Sequence, residues 1–136
     1  MSRRRLDGEA SMILPLRLPV ILTLLLLALS PAHSQPPYEG RWTEDPAWCR
    51  NTRASGTDEL PITITRRLIE TFASFCLVLS IARTTRTTWR MNTSCRDEGQ
   101  TENEPRTPVT FELRVDGNTL SLRDDTGVQN LTRCPR

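Results

Sequence analysis

The sequence predicts a small all-β domain: an antiparallel β-barrel or sandwich of about six to eight short strands, cross-linked by two disulfides and preceded by a signal helix. Two observations predict it. Short runs in which apolar and polar residues alternate recur between turn-forming residues from residue 40 onwards. Four cysteines occur in the same part of the chain, a pattern typical of disulfide-linked exported domains.

Residues 1–34 are predicted to be a secretory signal peptide, and residues 35–136 the disulfide-linked β domain. Arginines at positions 3–5 supply a positive start, Leu18 to Leu29 form an apolar run, and Ala32 to Ser34 match a small-residue cleavage site. The run is shorter than the ~20 residues that a membrane-spanning helix needs. We therefore expect cleavage after Ser34 and a periplasmic or secreted product, with an uncleaved anchor as the alternative.

The charge balance of residues 35–136 argues against a nucleic-acid partner. This part of the chain holds fourteen Arg, no Lys and fourteen Asp plus Glu, so its net charge is zero. Nucleic acids and anionic lipids are recognised by basic surfaces. We predict no nucleic-acid partner and no stable membrane insertion once the signal is removed.

Few side chains suited to catalysis remain after cleavage. The single histidine, His33, leaves with the signal peptide, and the chain has no lysine. This excludes Ser/His/Asp and Cys/His catalysis, His-ligated zinc and Schiff-base chemistry. Carboxylate pairs, Tyr38 and arginines are left. We predict that the protein is not an enzyme and needs no cofactor, with a carboxylate-only hydrolase as the remote alternative.

The first elements are short. Gly40-Arg41-Trp42 starts an extended segment that Asp45-Pro46 ends, and Ile62 and Ile64 alternate with threonines in a strand after Pro61. Residues 66–72 fit either a helix or a strand, and their β-rich neighbours favour a strand.

Ser74 to Ile81 and Thr87 to Cys95 are predicted to form a hairpin. If the turn is centred between Thr85 and Arg86, one cysteine of each strand lies opposite the other. Every second side chain of each strand then faces the core. The predicted opposed pairs are Cys76 with Cys95, Val78 with Thr93, Ser80 with Met91, and Ala82 with Trp89.

The four cysteines allow three connectivities. The hairpin register favours Cys76 with Cys95, which leaves Cys49 with Cys134, while the other two pairings stay open. No C-x-x-C motif occurs, so structural disulfides are expected.

The second half of the domain contains a polar loop, a second hairpin and a closing strand. Acidic residues in the loop at 97–108 lack the order of a calcium-binding loop, so no metal site is predicted. Asp116-Gly117 is the expected turn of the second hairpin, and Asp124-Asp125 starts another turn before the strand 128–134. Adjacent aspartates on one turn do not have the ~5 to 9 Å separation of glycosidase carboxylates. The predicted pairs in the second hairpin are Leu113 with Leu120 and Phe111 with Leu122.

One face of the first hairpin is a possible binding patch, because apolar side chains there lie opposite polar ones. The alternative is that the N-terminal segment or residues 66–73 cover it. Arginines near the turn could bind a carboxylate or phosphate, or be solvated. The candidate residues are Phe75, Leu77, Leu79 and Ile81 on the face, with Arg83, Arg86 and Arg90 near the turn.

Along the chain the motifs occur in the order Gly40-x-Trp42, Cys49, Ile62-x-Ile64, Cys76, Trp89, Cys95, Glu98-Gly99, Phe111-x-Leu113, Asp116-Gly117, Leu120 and Arg133-Cys134-Pro135. This order resembles uncharacterised small exported four-cysteine proteins of Gram-negative bacteria. That likeness implies an envelope location and a disulfide-linked β domain.

Gly40-x-Trp42 and the domain size are also similar to periplasmic β-barrel inhibitors of metalloproteases and to lipocalin-type barrels. In those inhibitors a short N-terminal trunk enters the enzyme cleft, and Gln35 to Glu39 occupy that position here.

We therefore expect a non-enzymatic exported envelope protein, a binding or inhibitor-like module for a macromolecule or a small apolar ligand. A structural or stress-related envelope protein is the alternative. A bare apolar patch or a filled barrel favours binding, and two carboxyl groups from different strands in one pocket favour the hydrolase. A barrel filled by its own side chains, with no patch beyond the turns, favours the structural alternative.

Overall fold

The computed structural model describes residues 35–136, and the predicted signal peptide lies outside them. Within this range the protein is all-β, which confirms the predicted fold class. Its strands are β1 (Gly40–Thr43), β2 (Ile62–Ile64), β3 (Leu68–Glu70), β4 (Ser74–Arg83), β5 (Thr88–Asp97), β6 (Thr107–Asp116), β7 (Thr119–Arg123) and β8 (Val128–Arg133). Two 3₁₀ helices, Pro46–Arg50 and Arg53–Ser55, follow β1. No helix in the described range has the length and apolar character needed to cross a membrane.

The eight strands form a closed antiparallel barrel in sequence order. Each strand pairs with the next, and β1 closes the barrel against β8 through two residue pairs, Trp42 with Arg133 and Thr43 with Thr132. Closure leaves one face of every strand for the interior, which is why alternation of apolar residues recurs along the chain.

The barrel interior is filled in its middle by large apolar side chains. Trp42, Ile64, Ile69, Met91 and Leu113 are fully buried. They come from five different strands and meet in one cluster. Burial at alternate positions is clearest on β5 and β6, as predicted from the sequence.

The first hairpin follows the predicted register only in one half. Cys76 lies opposite Cys95 and Val78 opposite Thr93, as expected, but the register then shifts at a β-bulge between Val78 and Ser80. The predicted pairs Ser80 with Met91 and Ala82 with Trp89 are wrong. The observed pairs beyond the bulge are Ser80 with Asn92, Ile81 with Met91, Ala82 with Arg90 and Arg83 with Trp89.

The bulge reverses the faces of β4. One extra residue on a strand moves every following side chain to the other side of the sheet. Ile81 and Arg83 consequently lie on the same side as the buried residues Met91 and Trp89. Alternation could not predict this, because the segment around Leu79 is apolar or small at both parities.

The second hairpin forms, but its turn lies one residue later than predicted. Each residue of β6 therefore pairs with a residue of β7 two positions later than expected. Its two loop residues are Gly117 and Asn118, flanked by the pair Asp116 and Thr119. Gly117 has φ +57°, and no residue other than glycine in the described range has positive φ, the pattern of a turn with glycine first. The predicted pairs Leu113 with Leu120 and Phe111 with Leu122 are therefore wrong. Because the pairing is shifted by two residues, the same side chains still face the barrel interior. The observed core pairs are Leu113 with Leu122 and Val115 with Leu120.

Both predicted disulfides are confirmed. Cys76–Cys95 bridges β4 and β5 on the inner face of the barrel. Cys49–Cys134 joins the first 3₁₀ helix to the residue after β8, with Cα atoms 5.4 Å apart. The backbone N–H of Cys134 also donates to Arg41 O at 2.9 Å, so this disulfide reinforces the place where β1 and β8 close the barrel.

Candidate functional site

The two ends of the barrel differ in how they are covered. The closed end contains the start of β1, the end of β8 and the tip of the β4–β5 hairpin. The open end contains the turns between β3 and β4 and between β7 and β8, the end of β5 and the start of β6. Strand directions and pairings place these segments at opposite ends.

The residues just before β1 cover the closed end. Tyr38 is 3% exposed, and its ring meets Trp89 edge to face with centroids 5.3 Å apart. The indole N–H of Trp42 donates to Tyr38 O at 2.9 Å. Burial raises the pKa of the Tyr38 phenol, and the neighbouring carboxylate of Glu39 raises it further, with Arg66 opposing.

Arg133 fixes this covering segment. Its guanidinium lies over the Trp42 ring, 4.0 Å from Cζ to the ring centroid, and donates to Glu39 O at 2.8 Å and to Pro37 O. Burial lowers the pKa of Arg133, and the charge of Arg136 lowers it further. A Cβ on Gly40 would lie 2.8 Å from Arg133 Nη1, so the glycine of Gly40-x-Trp42 makes room for the guanidinium.

The segment compared above with an inhibitor trunk packs against the barrel. Tyr38 is buried, Glu39 pairs with Arg66 at 3.1 Å, and Gln35 accepts a hydrogen bond from Arg136 at 3.3 Å. Residues 36–39 are thus bound to the closed end and do not project from it.

The open end leads into a cavity of about 450 Å³. Its walls are apolar side chains from β3, β6 and β7 together with the Cys76–Cys95 disulfide, and its rim is polar. The wall residues are Ile69, Val109, Phe111 and Leu122, and the rim includes Thr71, Ser74, Asp97, Thr107, Asp124, Asp125 and Gln129.

Hydrogen bonds hold two of the rim carboxylates in place. Asp97 Oδ1 accepts from the Ser74 hydroxyl at 2.6 Å. Asp124 Oδ1 accepts from the Thr126 hydroxyl at 2.6 Å and from the backbone N–H groups of Thr126 and Gly127 at 2.8 and 3.1 Å. Burial alone would raise the pKa of Asp124, but these hydrogen bonds outweigh it and lower the pKa. Asp124 is therefore ionised at neutral pH and organises its turn, the structural role expected from the sequence.

The rim brings together carboxyl groups that are far apart in the chain. Asp97 ends β5, whereas Asp124 and Asp125 lie between β7 and β8. The sequence pattern predicts a turn at Asp124-Asp125 but gives no sign that Asp97 lines the same cavity, because only barrel closure brings these residues together. Carboxyl groups from different strands in one pocket are the arrangement stated above to favour a hydrolase. A general acid, however, needs a raised pKa, and the pKa of Asp124 is lowered.

The predicted binding patch separates into two parts. Phe75, Leu77 and Leu79 are 41%, 39% and 69% exposed and form what we call the outer apolar strip. The strip stays a predicted interaction surface. The bulge turns Ile81 and Arg83 towards the inner face, so these two residues do not belong to the strip, although Ile81 is still 36% exposed.

The arginines near the hairpin turn do not form one cluster. Arg83 has its Cζ 5.5 Å from the Trp89 ring centroid, and its guanidinium donates to the backbone oxygens of Thr85 and Arg86. Arg90 pairs with Ala82 across the hairpin, on the opposite face from Arg83. Arg86 lies exposed in the turn. Because Arg83 is bound to its own turn, it is poorly placed to bind an anion together with the other two.

Within residues 35–136, no group of three or more His, Cys, Asp or Glu residues is arranged to hold a metal ion. Comparison with protein-family models, with curated proteins and with solved structures finds no match. The barrel closure, the cavity and its rim are therefore the basis for assigning a function.

Proposed function

We propose that this protein binds a small, largely apolar molecule in the cavity at the open end of its barrel. The observation that carries the proposal is the cavity of about 450 Å³, which opens at one end and has apolar walls. Ligand sites in proteins commonly have volumes of roughly 300–1,000 Å³, apolar walls and a few polar groups that orient the ligand. The rim supplies such polar groups.

The closed end supports this proposal. Tyr38 and Trp89 cover it, and Arg133 ties the covering segment to the last strand. A molecule entering from the open end would therefore meet a closed floor of packed side chains.

We propose further that the protein acts outside the cytoplasm, in the periplasm of a Gram-negative bacterium or secreted, and binds without catalysing a reaction. The two disulfides are consistent with an oxidising compartment. The resemblance to exported four-cysteine proteins and the signal-like residues 1–34 support the same location. The lowered pKa of Asp124 argues against its use as a general acid.

Titration with the neutral fluorescent probe N-phenyl-1-naphthylamine tests ligand binding directly. We expect saturable enhancement of its emission with one site per chain. Thr107→Trp places a large side chain on the cavity rim, so it should weaken binding roughly tenfold or more by obstructing entry. Thr110→Trp is the matched control, because Thr110 is an exposed residue of the same strand that does not line the cavity.

The proposal fails if the probe does not bind, or if both tryptophan variants weaken binding equally. Equal weakening would place the probe on the outside of the barrel. Circular dichroism of each variant checks that the barrel remains folded, and Thr107→Ser gives a second rim variant that leaves the entrance open.

A further inference from the structure

We infer that the natural ligand carries a positive charge next to its apolar part, so that the cavity takes an organic ammonium compound. This inference rests on the proposed function and concerns the chemistry of the same cavity. Apolar walls surrounded by carboxylates match a hydrocarbon group that ends in a cation.

The residues that line the cavity are charged with one sign only. Asp97, Asp124 and Asp125 contribute carboxylates, and the lining contains no arginine. The described residues form two ion pairs, Arg53 with Glu70 and Arg66 with Glu39, and neither involves the rim. Within residues 35–136, no arginine forms an ion pair with a rim carboxylate, although Arg53 and Arg96 lie near Asp97 on the outer side of the barrel.

The negative charge is fixed in position. The Ser74 hydroxyl holds Asp97, and the turn that follows β7 holds Asp124 through three hydrogen bonds to one oxygen, Oδ1. Carboxylates that are already oriented lose little conformational freedom when a cation binds, so their attraction is available to the ligand. Asp125 is exposed beside them.

This preference is local and not a consequence of net charge. Residues 35–136 carry equal numbers of acidic and basic side chains. Arg133 packs on Trp42 at the closed end, and Arg83 and Arg66 lie near the same end. Arg53, Arg96 and Arg106 lie near the open end but outside the cavity lining, so the single sign of charge is a property of the lining itself.

The apolar walls select an organic cation over a metal ion. Val109, Phe111 and Leu122 offer no side-chain oxygen ligands, and the described residues contain no group of three or more His, Cys, Asp or Glu arranged to hold a metal ion. A hydrocarbon chain can bury its surface against these walls while its ammonium group stays at the rim, near water and the carboxylates.

A matched series of eight-carbon compounds tests the charge preference. Octyltrimethylammonium, octanol and octanoate are each used to displace N-phenyl-1-naphthylamine from the folded domain, residues 35–136. We expect octyltrimethylammonium to displace the probe at a concentration roughly tenfold lower than octanol, with octanoate weakest. Raising the salt concentration to ~0.5 M should reduce the difference, because salt screens charges at an exposed rim.

Two isosteric substitutions identify the carboxylates. In the double variant Asp97→Asn with Asp125→Asn, octyltrimethylammonium should lose most of its advantage while octanol displaces the probe as before. The amide oxygen introduced by Asp97→Asn can still accept the hydrogen bond from Ser74, and Asp124 is left intact because its turn depends on it. Asp116→Asn removes one charge at the hairpin turn between β6 and β7, away from the rim, and is the control.

Equal displacement by the three compounds would overturn the inference, and so would a cation preference that the double variant retains. In both cases the probe still binds, so the proposed function would stand. Failure of the probe to bind the wild-type protein is a different result and would remove the proposed function itself.

Discussion

The guanidinium of Arg133 lies over the indole of Trp42, with its Cζ 4.0 Å from the ring centroid. The two residues face each other across the pair of strands that closes the barrel. Arg133 also donates hydrogen bonds to Glu39 O and Pro37 O. One side chain therefore joins the last strand, the first strand and the segment that covers the closed end. The barrel closure depends on this contact as well as on the Cys49–Cys134 disulfide.

Arg133→Ala should destabilise the domain by about 3 kcal/mol. The substitution removes the cation–π contact and leaves two carbonyl oxygens of the covering segment without their charged donor. Arg136→Ala is the matched control and should change stability by less than ~0.5 kcal/mol, because Arg136 is exposed. Urea unfolding monitored by tryptophan fluorescence measures both. Equal stability of the two variants would show that the contact does not contribute to closure.

Removal of the disulfides should have unequal effects. Cys49 and Cys134 are separated by 85 residues, whereas Cys76 and Cys95 are separated by 19. In the chain-entropy model the first contributes about 4.5 kcal/mol and the second about 3 kcal/mol. The double variant Cys49→Ser with Cys134→Ser should therefore unfold at a lower urea concentration than Cys76→Ala with Cys95→Ala. The reverse order would indicate that contacts around the inner disulfide outweigh loop entropy.

The fold was predictable where one face of each strand is consistently apolar. Leu113 and Leu120 were assigned wrong partners, but both were correctly placed on the inner face because the error was two residues. At the β4 bulge the error is a single residue, and it placed Ile81 on the wrong face. The alternation of apolar and polar residues cannot reveal an inserted residue where odd and even positions are both apolar or small.

The candidate site was less predictable than the fold. The sequence predicts a turn at Asp124 and Asp125, but their place on the same cavity rim as Asp97 depends on how the barrel closes. Arg133 appeared in the sequence only as part of a motif, and its contact with Trp42 depends on the same closure. Such contacts between distant segments leave no periodic pattern in the chain.

The bulge can be tested by two substitutions two residues apart. Ile81→Asn should cost about 1 kcal/mol, because Ile81 lies on the inner side next to buried Met91, although it is 36% exposed. Leu79→Asn should cost less than ~0.5 kcal/mol, because Leu79 is 69% exposed. Isoleucine has a higher β-propensity than leucine, so only a difference in cost larger than ~0.5 kcal/mol identifies the face. A hairpin without the bulge would place both residues on the outer face. The two substitutions would then lower the free energy of unfolding in urea by equal amounts.

Tyr38 should make the domain sensitive to alkaline pH. Burial raises the pKa of its phenol above the usual value near 10.0. As the pH passes 10, the unfolded chain loses this proton while the folded protein retains it, so the free energy of unfolding falls. The decrease approaches about 1.4 kcal/mol per pH unit until the pH reaches the folded-state pKa. Below pH 9 both states keep the proton, and the effect is absent.

Tyr38 is the one side chain in the composition that ordinarily ionises near pH 10. Tyr38 is the only tyrosine, the chain has no lysine, and the described residues contain no free cysteine. Tyr38→Phe keeps the ring against Trp89, so it should match the wild-type stability at pH 8 to within ~1 kcal/mol and show a much flatter profile from pH 10 to 11. Urea unfolding at each pH measures the profile, and absorbance at 295 nm follows the tyrosinate in the wild type. Parallel profiles for the two proteins would mean that the phenol ionises as readily in the folded barrel as in the unfolded chain, which its burial under the closed end does not allow.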